Sequence, residues 1–290
     1  MYATSIILQG LILGTQILMV AAGLYLVSAS SRIMHLGIGA IGAASAYILY
    51  WGIISEWPLF AAILWAIFIS ALLGILSAEL LEPFAARREP LLGLLVSFAL
   101  GIIIESLIAI FFGTDGKNLY SGILSILEFK GVEIDTPGVI TIILGAALAF
   151  FLWFTVQFTA AGRILRGVAE NSTLATSYGI NNKTVRRFAY MLSALVGALV
   201  IILAGWHTAL TPGMGFQLVI AAFIALLMGG IADLRGTAVA SYVIAVIPGL
   251  IIGFSTGFSE NWRMVFVFVI AVVALALRPH GLFAKRTREA

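Results

Sequence analysis

The chain has little charge and no cysteine. Only 10% of its 290 residues are Asp, Glu, Lys or Arg, whereas 62% are apolar; a soluble domain has about 25% charged and about 45–50% apolar residues. So few charges cannot cover a soluble surface, which excludes that class. The lack of cysteine excludes disulfides and thiolate metal sites. The composition therefore predicts an all-α polytopic membrane protein.

Nine apolar runs are candidate spanning helices, each of which needs about 20 mainly apolar residues. They cover residues 4–28, 36–54, 59–81, 91–112, 138–160, 188–206, 217–230, 237–254 and 265–277. The run 36–54 is rich in glycine and alanine, and 217–230 and 265–277 are short. We therefore expect about 8–9 transmembrane or partly spanning helices. The first run lacks a positively charged leader, so we expect it to stay in the mature protein.

Basic residues orient these runs, because cytoplasmic loops are enriched in Lys and Arg. With the C-terminus inside, all of the 16 basic residues except Lys117, Lys130 and Arg263 fall on the inner side. The N-terminus and a loop at 113–137 then lie outside, and 278–290 forms a cytoplasmic tail. Part of the outer loop is expected to form a short hairpin or lid. Because basic residues mark segment ends, the net charge of +3 does not indicate a nucleic-acid partner.

A long polar segment, 162–185, interrupts the apolar runs. Its apolar residues recur at helical spacing, with Arg163, Arg166, Glu170 and Asn171 on the polar side. The pattern predicts a helix lying at the membrane surface. Gly179 is placed to end it in a left-handed conformation, and the next helix begins at a capping asparagine, 181 or 182. Taken alone, the segment fits either an anchor on anionic lipid or a docking site for a cytoplasmic partner.

Three stretches carry the pattern of a known family, in its order and at its spacing. In 162–205 the matching residues are Gly162, Arg163, Arg166, Ala169, Glu170, Ala175, Gly179, Ile180 and Asn181. In 215–250 they are Gly215, Phe216, Ala222, Phe223, Ala225, Gly229, Gly230 and Gly236. The third is the sequence RPHGLFA at 278–284. The chain thus resembles the inner-membrane permeases of branched-chain amino acid ABC importers.

The resemblance implies one permease domain over 1–290 in the cytoplasmic (inner) membrane of a bacterium or archaeon. It implies a path for branched-chain or other hydrophobic amino acids, with urea, short amides or another small solute as alternatives. The implied partners are a second, homologous but different permease, two cytoplasmic ATPases and an external binding protein. ATP and Mg are expected on those ATPases, because this chain has no Walker A loop, and no cofactor or enzyme activity is expected here.

The resemblance also implies roles for particular residues. Those expected to couple the chain to an ATPase are Arg163, Arg166, Glu170, Asn171, Tyr178 and Gly179. Those expected to line the translocation path are His35, Gly37, Gly39, Glu105, Phe223, Gly229 and Gly230. The segments 35–39 (HLGIG) and 229–236 (GGIADLRG) depart from the family pattern, which weakens any transfer of substrate identity.

Glu105 is the only acidic residue well inside a predicted span, where a carboxylate is costly and usually faces a polar cavity or the bundle interior. It is expected either on the path or as a hydrogen-bonded structural carboxyl. His35 and His207 are too far apart in sequence to suggest a metal site. An ion-coupled transporter would show more charges within the membrane. An intramembrane enzyme would need paired carboxylates, a Ser/His pair or metal-ligand spacing, and none is visible.

Overall fold

The computed structural model describes residues 2–119, 126–129, 132–231, 233–255 and 257–278, which hold eleven α-helices and one β-hairpin. The helices are α1 Tyr2–Ser31, α2 Ile38–Ile54, α3 Leu59–Arg87, α4 Pro90–Phe112, α5 Thr136–Phe158, α6 Ala160–Glu170, α7 Ser172–Ser177, α8 Asn182–His207, α9 Met214–Gly229, α10 Leu234–Phe254 and α11 Arg263–Leu277. The strands are β1 Ile126–Phe129 and β2 Val132–Asp135, and a 3-10 turn covers Glu260–Trp262.

The nine predicted spans are all helical within the described ranges, as α1 to α5 and α8 to α11. Six of these helices, and α11 together with the 3-10 turn before it, are long and apolar enough to cross a membrane, and α2 and α9 are shorter apolar helices. The all-α polytopic prediction is confirmed. Within the loop 113–137, β1 and β2 pair antiparallel, with Phe129 opposite Val132, so the predicted hairpin is also confirmed. Residues 120–125 and 279–290, including most of the predicted tail, lie outside the described residues.

Helices α1 and α8 form the centre of the bundle. In their most apolar stretches 83% and 67% of residues are buried, against 22% in α3, α4 and α5 and 11% in α11. Helix α1 packs against α5, α8, α9 and α10, and α8 also packs against α2 and α3. The outer helices therefore present apolar side chains to the surroundings, as lipid or a neighbouring subunit requires.

Helix α2 approaches its neighbours at backbone contact. A Cβ on Gly39 would meet the carbonyl oxygen of Gly215 in α9, and one on Gly215 would meet that of Gly39. A Cβ on Gly42 would lie 2.6 Å from the carbonyl oxygen of Gly197 in α8. Small residues permit such close contact. In lipid the hydrophobic effect does not bring helices together, so this close packing drives their association.

The two ends of the bundle are built differently. At one end lie α6, α7 and the turns after α1, α3 and α9; we call this the α6 end. At the opposite end Lys117 and Leu210 exchange backbone hydrogen bonds of 2.9 and 2.7 Å. There the Tyr47 hydroxyl also donates to the carbonyl oxygen of Leu210 over 3.0 Å. The loop 113–137 is thereby held against the turn between α8 and α9.

Candidate functional site

Helix α6 packs against the end of α5, because its sequence is amphipathic and its first turn is capped. Thr159 accepts a hydrogen bond from the backbone nitrogen of Gly162 over 3.2 Å, which satisfies a free donor of the first turn. Leu165 and Val168 are buried, whereas Arg163 and Glu170 are exposed. A Cβ on Gly162 would meet carbonyl oxygens of α5, so glycine is required for this approach.

Within the segment 162–185, the prediction of a single helix that ends at Gly179 is wrong. The segment breaks at Asn171, whose φ of −148° and ψ of 96° are extended. Its side-chain oxygen accepts from the nitrogens of Thr173 and Leu174 over 3.1 and 3.0 Å, capping α7. Asparagine bonds the backbone in this way more readily than it continues a helix. We call residues 160–179 the surface segment; it contains two helices, α6 and α7, joined at the cap formed by Asn171.

The end of the surface segment follows the sequence prediction. Gly179 has a φ of +82°, in the left-handed region that favours glycine. Its nitrogen donates to Thr176 and that of Ile180 to Ala175, over 2.9 and 3.1 Å. Asn181 then caps α8 by accepting from the nitrogen of Thr184 over 3.2 Å. These bonds confirm that Gly179 ends the segment. They also show that Asn181, and not Asn182, caps α8.

The residues predicted for coupling separate into two groups. Arg163, Glu170 and Tyr178 are exposed, Tyr178 by 80%, and are free to meet a partner. Arg166 is not on this face as predicted, because its guanidinium donates to the last carbonyl oxygens of α5, at positions 156 and 157. These carbonyls have no partner within α5, and a positive charge at this helix end also interacts favourably with the helix dipole. Arg166, Asn171 and Gly179 thus shape the segment.

Two arginines tie the surface segment to turns of the bundle. Arg32, in the turn after α1, donates to the carbonyl oxygens of Ala169 and Glu170 over 3.3 and 3.5 Å. Arg88, in the turn after α3, donates to the Thr173 hydroxyl over 3.2 Å. Sequence reasoning used both residues only to orient the chain, and nothing in their spacing reveals these contacts.

Ion pairs join α3 to α8 near the same end. Glu82 binds Arg186, with 2.7 Å from Arg186 Nε to Glu82 Oε2, and these side chains are only 19% and 10% exposed. Glu79 pairs with Lys183 over 2.8 Å and also with Arg187. Sequence reasoning missed these pairs, although carboxylates three residues apart late in α3 and a basic cluster opening α8 were available signals.

Glu105 lies in a recess of about 80 Å³ between α2, α4 and α9. Its lining is Leu36, Ala40, Phe98, Gly101, Ile102 and Phe216. The rings of Phe98 and Phe216 lie 5.6 Å apart and form one wall. Glu105 is half-buried, and no described residue pairs with it or donates to it. A half-open apolar recess with one unpaired carboxyl can receive a small solute that has one cationic group.

The other residues predicted for the path are not in this recess. His35 is 1% exposed and its ring lies 5.1 Å from that of Tyr190. Neither ring nitrogen has a partner among the described residues, and burial lowers the pKa of His35 to about 4. A Cβ on Gly37 would lie 2.9 Å from the carbonyl oxygen of Ser97. Gly37 thus allows the turn after α1 to pack on α4.

The remaining predicted positions lie at contacts of α9. Gly229 meets the backbone of α10 near Thr237, and Gly230, with φ at +106°, ends α9. Phe223 is half-buried against the core around α1. In this structure these residues pack helices together, and Glu105 is the only residue of the predicted path among those that line the described recess.

Comparison with known proteins identifies the family. The model for the permease component of branched-chain amino acid transport systems matches residues 6–275. The probable branched-chain amino acid transport permease LivH of Methanocaldococcus jannaschii is 24% identical, covering 74% of this chain and 71% of its own. The high-affinity permease LivH of Salmonella typhimurium is 22% identical, covering 96% and 94%.

The fold also has a solved counterpart. A structure of PsaBC from Streptococcus pneumoniae, in complex with a Fab, superposes with a TM-score of 0.50 at 18% identity, covering 95% of this chain and 92% of that one. At this identity the likeness concerns the fold alone. The match of the family model over nearly the whole sequence shows that the chain belongs to the family of permease components of branched-chain amino acid transport systems.

Proposed function

We propose that the chain is the membrane-spanning subunit of an ATP-driven importer for branched-chain or other hydrophobic amino acids. The family match and the names of the relatives support this substrate class. The chain is a transport permease and not an enzyme, so the energy comes from elsewhere. In this proposal two cytoplasmic ATPase subunits bind ATP and Mg, and an external binding protein delivers the amino acid.

The observation that carries the proposal is the construction of the surface segment. Three of its residues, Arg163, Glu170 and Tyr178, are exposed polar or aromatic groups suited to a docking partner. Arg32 and Arg88 attach it to two separate turns of the bundle. A force applied to the segment would therefore reach α1, α2, α3 and α4 together, as a coupling element requires.

A short route leads from the surface segment to Glu105. Arg32 begins the turn that contains Leu36, whose nitrogen donates to the Ser97 hydroxyl of α4 over 3.2 Å. Leu36 also lines the recess of Glu105. Displacing the segment would pull on Arg32 and alter the spacing of α2 and α4 around that recess. We propose that the recess contributes to the path and that Glu105 meets the substrate ammonium.

The same proposal places the molecule in the membrane. The α6 end faces the cytoplasm, because it carries most of the Lys and Arg; residues 113–137 then form an external loop and 278–290 a cytoplasmic tail. The recess opens on the surface, beside the 48% exposed Ile102. This placement supports a path formed between two permeases, of which we propose that the second is a homologous but different chain.

Reconstitution into vesicles with the copurifying subunits tests the proposal. We expect leucine uptake that needs ATP inside the vesicles and the binding protein outside. Glu170→Arg and Gly179→Val should reduce uptake while ATP hydrolysis continues, since one inverts a charge of the docking face and the other distorts its end. Glu260→Arg, a charge inversion of an exposed residue near the start of α11 whose ion pair is with Arg263 and not with the surface segment, is the control.

Two results would contradict the proposal. Normal uptake in both surface-segment variants would remove the coupling role from this segment. Uptake driven by an ion gradient without ATP would instead favour an ion-coupled secondary transporter, for which the unpaired Glu105 is the specific support. Preferential uptake of urea or a short amide would support the ATP-driven importer but contradict the proposed substrate class.

A further inference from the structure

A cleft of about 130 Å³ opens beside the surface segment, at the α6 end. It lies between the end of α1, the turn from α3 to α4, the start of α7 and the first turns of α8. Its lining includes three arginines, Arg32, Arg88 and Arg186, together with the serines Ser30 and Ser172. Among the described residues, no acidic side chain lines it. This composition fits a phosphate group, whose oxygens guanidinium groups bind in pairs.

The charges of the cleft are not balanced within the described part of the chain. Arg186 is bound by Glu82. Arg32 and Arg88 donate only to carbonyl and hydroxyl oxygens, with no carboxylate partner among the described residues. Two positive charges therefore remain around a concave, partly enclosed site. Such a site attracts an anion, and the hydroxyl of Ser172 adds a polar partner.

The backbone also holds these two arginines in an unusual way. Arg32 and Arg88 have φ values of 59° and 58°, and only one other described non-glycine residue, Glu56, has positive φ. This conformation is disfavoured for residues with a Cβ, and glycine would adopt it without strain. Both turns thus carry an arginine where glycine would be easier, and both arginines point to one cleft. Both lie directly after a helix end, where a left-handed residue closes the helix and glycine is the usual choice.

The surroundings indicate which phosphate is within reach. Beside the cleft, the first turn of α4 carries Leu91 and Leu92, which are 69% and 48% exposed. In α3, Leu80 is 46% exposed. An apolar helix face that starts at a basic cleft matches a phospholipid, with its phosphate in the cleft and its chains along the helix. Basic pockets between helices on the cytoplasmic side bind anionic lipid headgroups in this way.

We propose that this arginine cleft binds the phosphate of an anionic phospholipid of the inner leaflet. The bound phosphate would bridge the turn after α1, the turn after α3 and the start of α7, and so stiffen the attachment of the surface segment to the bundle. The orientation in this proposal rests on the proposed function, but lipid binding itself is measured without transport.

Native mass spectrometry of the full chain, with the subunits that accompany it, tests the cleft. The probes are dioleoyl phosphatidylglycerol and dioleoyl phosphatidylcholine. We expect the anionic lipid to bind more tightly, and the double variant Arg32→Gln/Arg88→Gln to lose about thirtyfold in affinity, since two basic groups are removed. Arg235→Gln, on the same end but stacked over Trp153 outside the cleft, should lose less than about threefold.

A second variant tests the cleft in case the double variant does not fold. Ala85→Glu places a carboxylate in the lining of the cleft while every arginine stays. It should abolish the preference for phosphatidylglycerol and keep the thermal midpoint of the parent.

Three results would overturn the proposal. The first is equal affinity in the parent, the double variant and Ala85→Glu. The second is full displacement of the lipid by millimolar inorganic phosphate, which would assign the cleft to a free anion. The third is lipid binding by the chain alone that is lost in its complex with the ATPase subunits, which would assign the cleft to a side chain of that partner. Failure of ATP-driven uptake with lipid binding intact would refute the proposed function and leave the cleft standing.

Discussion

The guanidinium of Arg32 donates to the carbonyl oxygen of Ala169 over 3.3 Å, although 137 residues separate them in the chain. This bond joins the turn after α1 to the last turn of α6. The carbonyls at the end of a helix have no partner within it, so a cation both satisfies them and favours the dipole. The surface segment is thus attached to the bundle through a helix end.

Replacing Arg32 with glycine should separate stability from coupling. Glycine relieves the positive φ of 59° and should leave stability equal or higher by up to about 1 kcal/mol, while removing the bond to α6. We expect uptake per ATP hydrolysed to fall severalfold. Glu56→Gly is the matched control, because Glu56 has a φ of 57° in the turn between α2 and α3, remote from α6. It should gain stability and keep normal uptake; equal coupling in the two variants would contradict the role of Arg32.

Much of this fold could be predicted from the sequence, because membrane helices are specified locally. Each needs a long apolar run, and the nine runs are helical with ends that differ by a few residues. The largest differences are in α3, which continues beyond its apolar run to Arg87, and in α8, which begins before its apolar run at Asn182. Their extensions are polar, and the ion pairs of Glu79 and Glu82 that hold them together join residues more than 100 positions apart.

The candidate site was less predictable, because only some of its residues act through bonds to close neighbours in the sequence. Gly179 and Asn181 act through bonds to close neighbours, and their roles followed from residue type. Asn171 also acts locally, and the sequence Asn171-Ser172-Thr173 is a capping signal that the prediction of one helix overlooked. The contacts of Arg32 and Arg88 with the surface segment depend on tertiary packing, which hydrophobic periodicity does not encode.

Gly39→Ala should destabilise the contact between α2 and α9. The added methyl group would overlap the backbone of Gly215, and overpacking in a close helix contact costs about 1–3 kcal/mol. We expect a lower thermal midpoint in mild detergent. Gly213→Ala, just before α9, has no atom within 4 Å of the new Cβ and should change stability by less than about 0.5 kcal/mol. Equal midpoints for both variants would argue against the close contact.

Two carboxylates on α3 should differ in importance. Glu82→Gln leaves the mostly buried Arg186 without its counter-charge and should destabilise the protein by about 2 kcal/mol. Glu79→Gln breaks pairs with Lys183 and Arg187, whose side chains are 45% exposed, and should cost at most about 1 kcal/mol. Thermal unfolding of both variants in the same detergent gives the comparison. A larger loss for Glu79→Gln would mean that the α3–α8 contact depends on the exposed pairs.

Glu105 gives the sharpest test of the path. Its carboxyl lies in an apolar recess without an ion-pair partner among the described residues, so a bound substrate ammonium would supply the missing counter-charge. Glu105→Gln keeps the size and removes that charge. We expect uptake of leucine to fall about tenfold or more, with ATP hydrolysis retained, and the pH dependence of uptake to change. Ile102→Leu, on the same recess, keeps the apolar wall and should transport normally. If Glu105→Gln changes neither uptake nor its pH profile, the carboxyl is a structural group between helices, and the path must run along another face of the chain.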